Sequence, residues 1–158
     1  MLENLITDRT LQDFLRWKEL RDKGYANMTE AERKEWASDM KGAYNPSDLN
    51  RVGTVLNYLR DKLKESGYLT NKLFTMRTDW KNTDIPTMAE FTAYIEAVET
   101  IRRGMSHKAT TPPTPENTGS LDYQEANDIE QILIDIDSLI NTMLKARLFM
   151  GEFFCGEI

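Results

Sequence analysis

The chain has 158 residues, enough for one domain and its core but short of what two independent cores need. Twenty Lys and Arg against 26 Asp and Glu give a net charge of −6, which argues against general affinity for nucleic acid or anionic lipid. The single cysteine, Cys155, excludes an internal disulfide and is compatible with a reducing cytosol.

The N-terminal segment Met1-Leu2-Glu3-Asn4-Leu5-Ile6 is acidic and has no basic leader, so no cleaved export signal is expected. No later run approaches the roughly 18 apolar residues of a membrane span. Thr7 or Asp8 is expected to cap a first helix running to about Asp22, with Leu11, Phe14, Leu15, Trp17 and Leu20 facing inward and Gly24 ending it. Thr29-Glu30-Ala31-Glu32 reads as a capping box opening a short helix towards Met40, closed by Gly42.

Asn45-Pro46-Ser47-Asp48 opens the next helix: Asn caps, Pro presets φ at the first helical position, and Asp48 puts a carboxylate at the positive end of the dipole. Leu49, Val52, Leu56, Leu59 and Leu63 then recur in steps of three and four up to Gly67, the pattern of a packing seam. From Tyr68 to Pro86 that period vanishes. Leu73-Phe74-Thr75-Met76-Arg77-Thr78 has strand-like composition, so an extended segment or small hairpin is expected near 69–85.

Thr87-Met88-Ala89-Glu90 is a second capping box, and Met88, Phe91, Ile95 and Val98 form its helix's seam, ending at Arg102, Arg103 and Gly104. Thr110-Thr111-Pro112-Pro113-Thr114-Pro115 removes amide donors and favours polyproline-like backbone, making 105–120 a semi-rigid connector. The last and longest helix starts near Leu121 or Asp122 and runs towards Met150, with Ala126, Ile129, Leu133, Ile136, Ile140 and Met143 as its seam. The expectation is one mainly α domain over 1–158, a bundle of four to five helices.

Reactive constellations are sparse in the pattern. His107 is the only histidine and lies beside the Pro/Thr connector, while Cys155 has no histidine near it in sequence. Asp128, Glu130, Asp135 and Asp137 flank the last seam and read as its solvated face. The scattered glycines make no phosphate loop, and Arg102, Arg103 and Lys108 read as compensation of a helix end. Trp17, Trp36 and Trp80, with Tyr25, Tyr44 and Tyr58, are expected to fill the core, a sugar-stacking surface being the alternative. No catalytic residue, cofactor or metal ligand is assigned. Near the C-terminus Phe149, Met150, Phe153 and Phe154 concentrate apolar surface and are the candidate partner interface.

Several blocks carry a resemblance: Thr7-Asp8-Arg9-Thr10, Gly24 to Thr29 through Trp36, and Tyr44-Asn45-Pro46-Ser47-Asp48-Leu49-Asn50-Arg51-Val52. Thr78-Asp79-Trp80, Thr83 to Thr87 and Tyr123 to Glu130 extend it, so that it spans about Thr7 to Glu152. Together these blocks resemble phage and prophage proteins of Gram-positive gut bacteria that occur with tail and baseplate components. The resemblance implies a non-enzymatic virion structural protein, made in the host cytoplasm, an adaptor or accessory part contacting other virion proteins and itself. Asn45, Pro46, Asp48, Leu49, Asn50 and Arg51 are its most distinctive motif. Two alternatives remain open: a small phage regulator that binds a host protein, and a carbohydrate-binding module.

Overall fold

The computed structural model describes residues 2–68, 74–116 and 119–154, of which 147–154 are described in backbone only. Among the described residues the fold is all helical, with five α-helices and no strands. They are α1 (Leu11–Lys23), α2 (Glu30–Ala37), α3 (Pro46–Glu65), α4 (Met88–Arg103) and α5 (Tyr123–Phe154), with short 3-10 turns at Leu2–Asn4 and Tyr25–Asn27.

One capping device starts most of the helices. The hydroxyl of Thr10 accepts from the Asp13 amide at 3.2 Å while Asp13 accepts from the Thr10 amide at 2.8 Å. Thr29 with Glu32, and Thr87 with Glu90, repeat this reciprocal pairing, and Asp122 exchanges the same bonds with Glu125. Each box satisfies amides that the first helical turn leaves without an internal partner. The first helix therefore begins at Thr10 and not at Thr7 or Asp8. The second stops at Ala37, short of Met40, and Gly42 serves a different purpose: a Cβ there would collide with the α1 backbone at Asp13.

The core lies between α3, α4 and α5. Val52, Leu56, Leu59 and Leu63 meet Ile95, Val98 and Ile101 and the α5 stripe Ile129, Leu133, Ile136 and Ile140, all buried. Each of these leucines contributes about 1.5–3 kcal/mol relative to an exposed position. Met88, expected in the α4 seam, is 61% exposed, because α4 starts at the edge of the core and its inner face begins with Phe91. The α5 backbone remains helical to Phe154, beyond Leu144, the last described side chain packed on the core.

No ladder or hairpin forms among the described residues 74–86. Residues 74–80 lie extended along α3, held by side chains in place of a neighbouring strand, and the chain then turns at 81–84, where the Asp84 amide donates to the Lys81 carbonyl at 2.9 Å. Asn57 donates to the Met76 carbonyl and accepts from the Met76 amide, both at 2.9 Å. Two turns earlier Asn50 does the same to Trp80, at 2.9 and 2.7 Å, and Arg60 donates to the Phe74 carbonyl at 2.5 Å. A planar amide presents one donor and one acceptor and so reproduces the pairing a strand would supply. Between the two asparagines Gly53 leaves room for the crossing chain, since a Cβ there would stand 2.7 Å from the Arg77 carbonyl oxygen. The Pro/Thr connector is likewise pinned: Thr111 is buried and donates to Asp135 at 2.7 Å, and Arg102 donates to the Pro112 carbonyl at 2.7 Å.

Helices α1 and α2 form an outer hairpin with little core of its own. Leu20 and Met28 are buried, but Leu11 and Leu15, expected inside, are 49% and 45% exposed. The face carrying Phe14, Trp17 and Leu20 turns inward, and the Leu11/Leu15 stripe lies outside that arc. Charges stitch the pair together, Arg16 to Glu35 at 2.6 Å and Lys23 to Glu32 at 2.8 Å.

The acids in these stitches set the hairpin's response to pH. The Lys23 ammonium, then the Thr29 amide, pull the Glu32 carboxyl from 4.5 down to about 2, and the Arg16 guanidinium lowers Glu35. A carboxyl whose value is depressed on folding stabilises the fold fully above its unfolded value and progressively less as pH falls through the folded one. The α2 amides should therefore lose chemical-shift dispersion as pH falls from about 4.5 to about 2, before those of α3 and α5. An α2 that unfolds only together with the core would contradict this ordering.

A buried ion cluster and the grooves around it

The most unusual chemistry among the described residues is a group of four charges, three of them closed off from water and the fourth, Arg51, half-buried. Arg9, on the arm before α1, is 4% exposed; Asp48 on α3 is 3% exposed; Glu130 on α5 is 0% exposed. Arg9 Nη2 donates to Asp48 Oδ1 at 2.9 Å and to Glu130 Oε1 at 2.7 Å. Arg51, one turn after Asp48, donates to Glu130 Oε1 at 2.8 Å and also bonds Asp48. Two cations thus face two anions, and the cluster is neutral overall.

Remaining acceptors are used as well. Glu130 Oε2 takes the Ile6 amide at 2.5 Å and Arg51 Nε at 3.3 Å, while Asp48 Oδ2 takes the Asn45 amide at 2.8 Å. Arg9 Nη1 donates to the Ile6 carbonyl at 2.7 Å. Asn127, three residues before Glu130, clasps the Arg9 backbone from both sides, accepting from its amide at 3.1 Å and donating to its carbonyl at 2.9 Å. Arg9 also lies 5.8 Å from the centre of the Tyr44 ring, and the Tyr44 and Tyr94 hydroxyls bond to each other, which brings α4 to the cluster. Burial raises both tyrosines above the ordinary phenol value, so both stay protonated and neutral beside the ions.

The motif Asn45, Pro46, Asp48, Leu49, Asn50 and Arg51 therefore acts from within. Asn45 and Pro46 start α3, Asp48 and Arg51 enter the cluster, Asn50 clasps Trp80, and Leu49 packs against the core. Glu130 and Asp135 correct the reading of a solvated acidic face, since both are buried. The band that α5 buries is wider than its seam and includes Ile132, so flanking acids fall inside and take internal donors. Arg9 gave no signal of its own. In sequence Asp48 reads as a helix-dipole carboxylate and Arg51 only as part of the motif; their i,i+3 spacing is the local signal that pairs them.

The aromatic residues also differ from expectation. Trp17, Trp36 and Trp80 are half-buried, and Tyr25 and Tyr58 are exposed; none of these five belongs to the core. Cations lie over several of them: Arg21 is 4.8 Å from the Trp17 ring centre, Arg77 4.3 Å from Trp80 and Arg33 5.2 Å from Tyr25. Trp17 and Trp36 line one cleft of about 360 Å³ with Asp39, Asn82 and Asp84. His107 is exposed on the connector, and Arg103 pairs with Glu99. Phe149, Met150, Phe153 and Phe154 lie on α5 where only the backbone is described, and Cys155 lies outside the described residues.

An apolar groove of about 360 Å³ opens beside the cluster, between the start of α3, the start of α4 and residues 119–121. Leu49, Pro86 and Phe91 form its floor, and Ile85 and Met88, 88% and 61% exposed, stand at its edge. A second apolar groove of about 140 Å³ adjoins it through those same three floor residues. Among the described residues no set of three His, Cys, Asp or Glu side chains comes together as a metal site, and no helix is long and apolar enough to cross a membrane. Compared with known proteins, the chain matches no family model, no curated protein and no solved structure.

Removing one member of a buried ion cluster leaves its partners desolvated and unpaired. Glu130→Gln should lower unfolding free energy by about 3–5 kcal/mol in urea titrations followed by tryptophan fluorescence. A loss below about 1 kcal/mol, the worth of a surface pair, would show that the cluster is not a structural anchor.

Proposed function

We propose that this protein is a non-enzymatic assembly component of a phage particle, an adaptor or accessory part of the tail or baseplate, binding other virion proteins and further copies of itself. The observation that carries the assembly reading is the groove beside the α4 start. Ile85 and Met88 are large apolar side chains held out in water on a rigid base: Thr87 and Glu90 cap the helix, and Arg77 ties Asp84 at 2.5 Å. An apolar depression with protruding apolar edges favours burial against another protein surface. The buried charges support the same reading, because the acids and guanidiniums of the cluster are consumed in holding helices together. The tail or baseplate setting rests on the resemblance of the Asn45–Val52 and neighbouring blocks.

The partner surface proposed here is the groove; Phe149, Met150, Phe153 and Phe154 lie at the opposite end of α5 from it and are a separate candidate contact. The double variant Ile85→Asp/Met88→Asp should keep its urea stability within about 0.5 kcal/mol, as exposed substitutions do. It should nevertheless lose self-association in light scattering and incorporation into particles purified from lysates of the producing phage. A wild-type protein that is strictly monomeric and absent from those particles would refute the assembly reading.

A further inference from the structure

Two of the three tryptophans carry a cation over the ring: Arg21 lies 4.8 Å from the Trp17 ring centre and Arg77 lies 4.3 Å from that of Trp80. The half-buried side chain of Trp36 has no cation, ring or hydrogen-bond partner among the described residues. Asp39, three residues on, is exposed and likewise makes no ion pair or hydrogen bond among them. Its position is electrostatically unfavourable, because α2 ends at Ala37 and the negative end of a helix dipole repels a carboxylate. Trp36 and Asp39 line the same cleft of about 360 Å³, together with Trp17, Asn82 and Asp84, and no Lys or Arg is on its wall. Arg77 compensates Asp84 at 2.5 Å from outside that wall, whereas Asp39 is left without a counter-charge among the described residues.

We propose that this cleft binds a small organic ammonium ion, its charged end against the Trp36 ring and the Asp39 carboxylate. The chemistry of the lining selects that class. An aromatic face attracts an organic cation, and Trp36 is the one tryptophan whose ring the described residues leave without one. Asp39 and the C-terminal end of α2 add negative charge, and no cation on the wall opposes it. An anion would be repelled there, and a neutral ligand would leave Asp39 without a counter-charge. A bare calcium ion calls for six to eight oxygen ligands, more than the two carboxylates on the wall provide. The ammonium can be a quaternary head group or a primary amine on an alkyl chain. The site does not depend on the assembly reading.

The test follows the tryptophan indole N–H resonances of the whole ¹⁵N-labelled protein by NMR during separate titrations with choline, butylammonium and 3,3-dimethyl-1-butanol, the uncharged isostere of choline. The Trp36 signal should move saturably with at least one of the two cations, which should bind about fivefold or more tightly than the neutral alcohol. Tighter binding of choline assigns a quaternary head group, and tighter binding of butylammonium assigns a primary amine. Asp39→Asn should weaken the preferred cation about two- to fivefold, the range expected for an exposed charge, and leave the alcohol unaffected. The same variant should hold or raise stability in urea, since it removes a negative charge from the negative end of α2, and a structural role for Asp39 would give the reverse. A Trp36 signal that neither cation moves, an alcohol that binds as tightly as the cations, or cation affinity indifferent to Asp39→Asn would overturn the proposal.

Discussion

Three charges out of water and a fourth half-covered are expensive unless each meets its opposite, and this constraint explains why the chain is arranged as it is. Arg9, Asp48, Arg51 and Glu130 come from the N-terminal arm, α3 and α5, and satisfy one another only when all three segments are in place. Apolar contact alone tolerates helices sliding by a turn, because one leucine replaces another. A buried ion cluster does not tolerate it, since a shifted carboxylate leaves a guanidinium bare. The hydrophobic seams supply the driving force, and the cluster selects the register in which they meet.

Asparagine completes that register for the segments that are not helical. Asn50, Asn57 and Asn127 each grip the amide and carbonyl of a single residue, Trp80, Met76 and Arg9 in turn. Extended chain can then lie against a helix without a sheet and without unsatisfied peptide groups. Gly53 permits the close approach that this geometry demands. Leu49, on the same helix as Asn50 and Gly53, lines the groove beside which Ile85 and Met88 stand exposed, and this links the fold to the proposed use of the groove.

Much of this architecture was readable from local rules and the rest was not, for physical reasons. Helix starts at Thr29, Asn45 and Thr87, and the seams of α3 and α5, follow from capping chemistry and period, which are short-range properties. Thr10 was missed because the capping box also accepts Asp13 as its acid, and Thr7 and Asp8 compete as caps nearby. Met88, Leu11 and Leu15 went wrong because periodicity gives a stripe but not where along the helix the neighbour begins. Glu130 and Asp135 went wrong because a charge beside a seam reads as solvated unless its partner is known. That partner, Arg9, lies 121 residues away from Glu130. Over 74–78 the strand-like composition signalled extended backbone, residues 69–73 of that expectation lying outside the described residues, while the asparagines that replace a second strand carry no pattern visible within one segment.

The claim that the ion cluster fastens the N-terminal arm to the helical core is open to direct measurement by native-state hydrogen exchange. The amides of Ile6 and Arg9, which donate to Glu130 and Asn127, should exchange as slowly as those of Ile132 and Leu133 within α5, opening only with global unfolding. Exchange of Ile6 and Arg9 at the rate of an unprotected chain, with α5 still protected, would contradict the account.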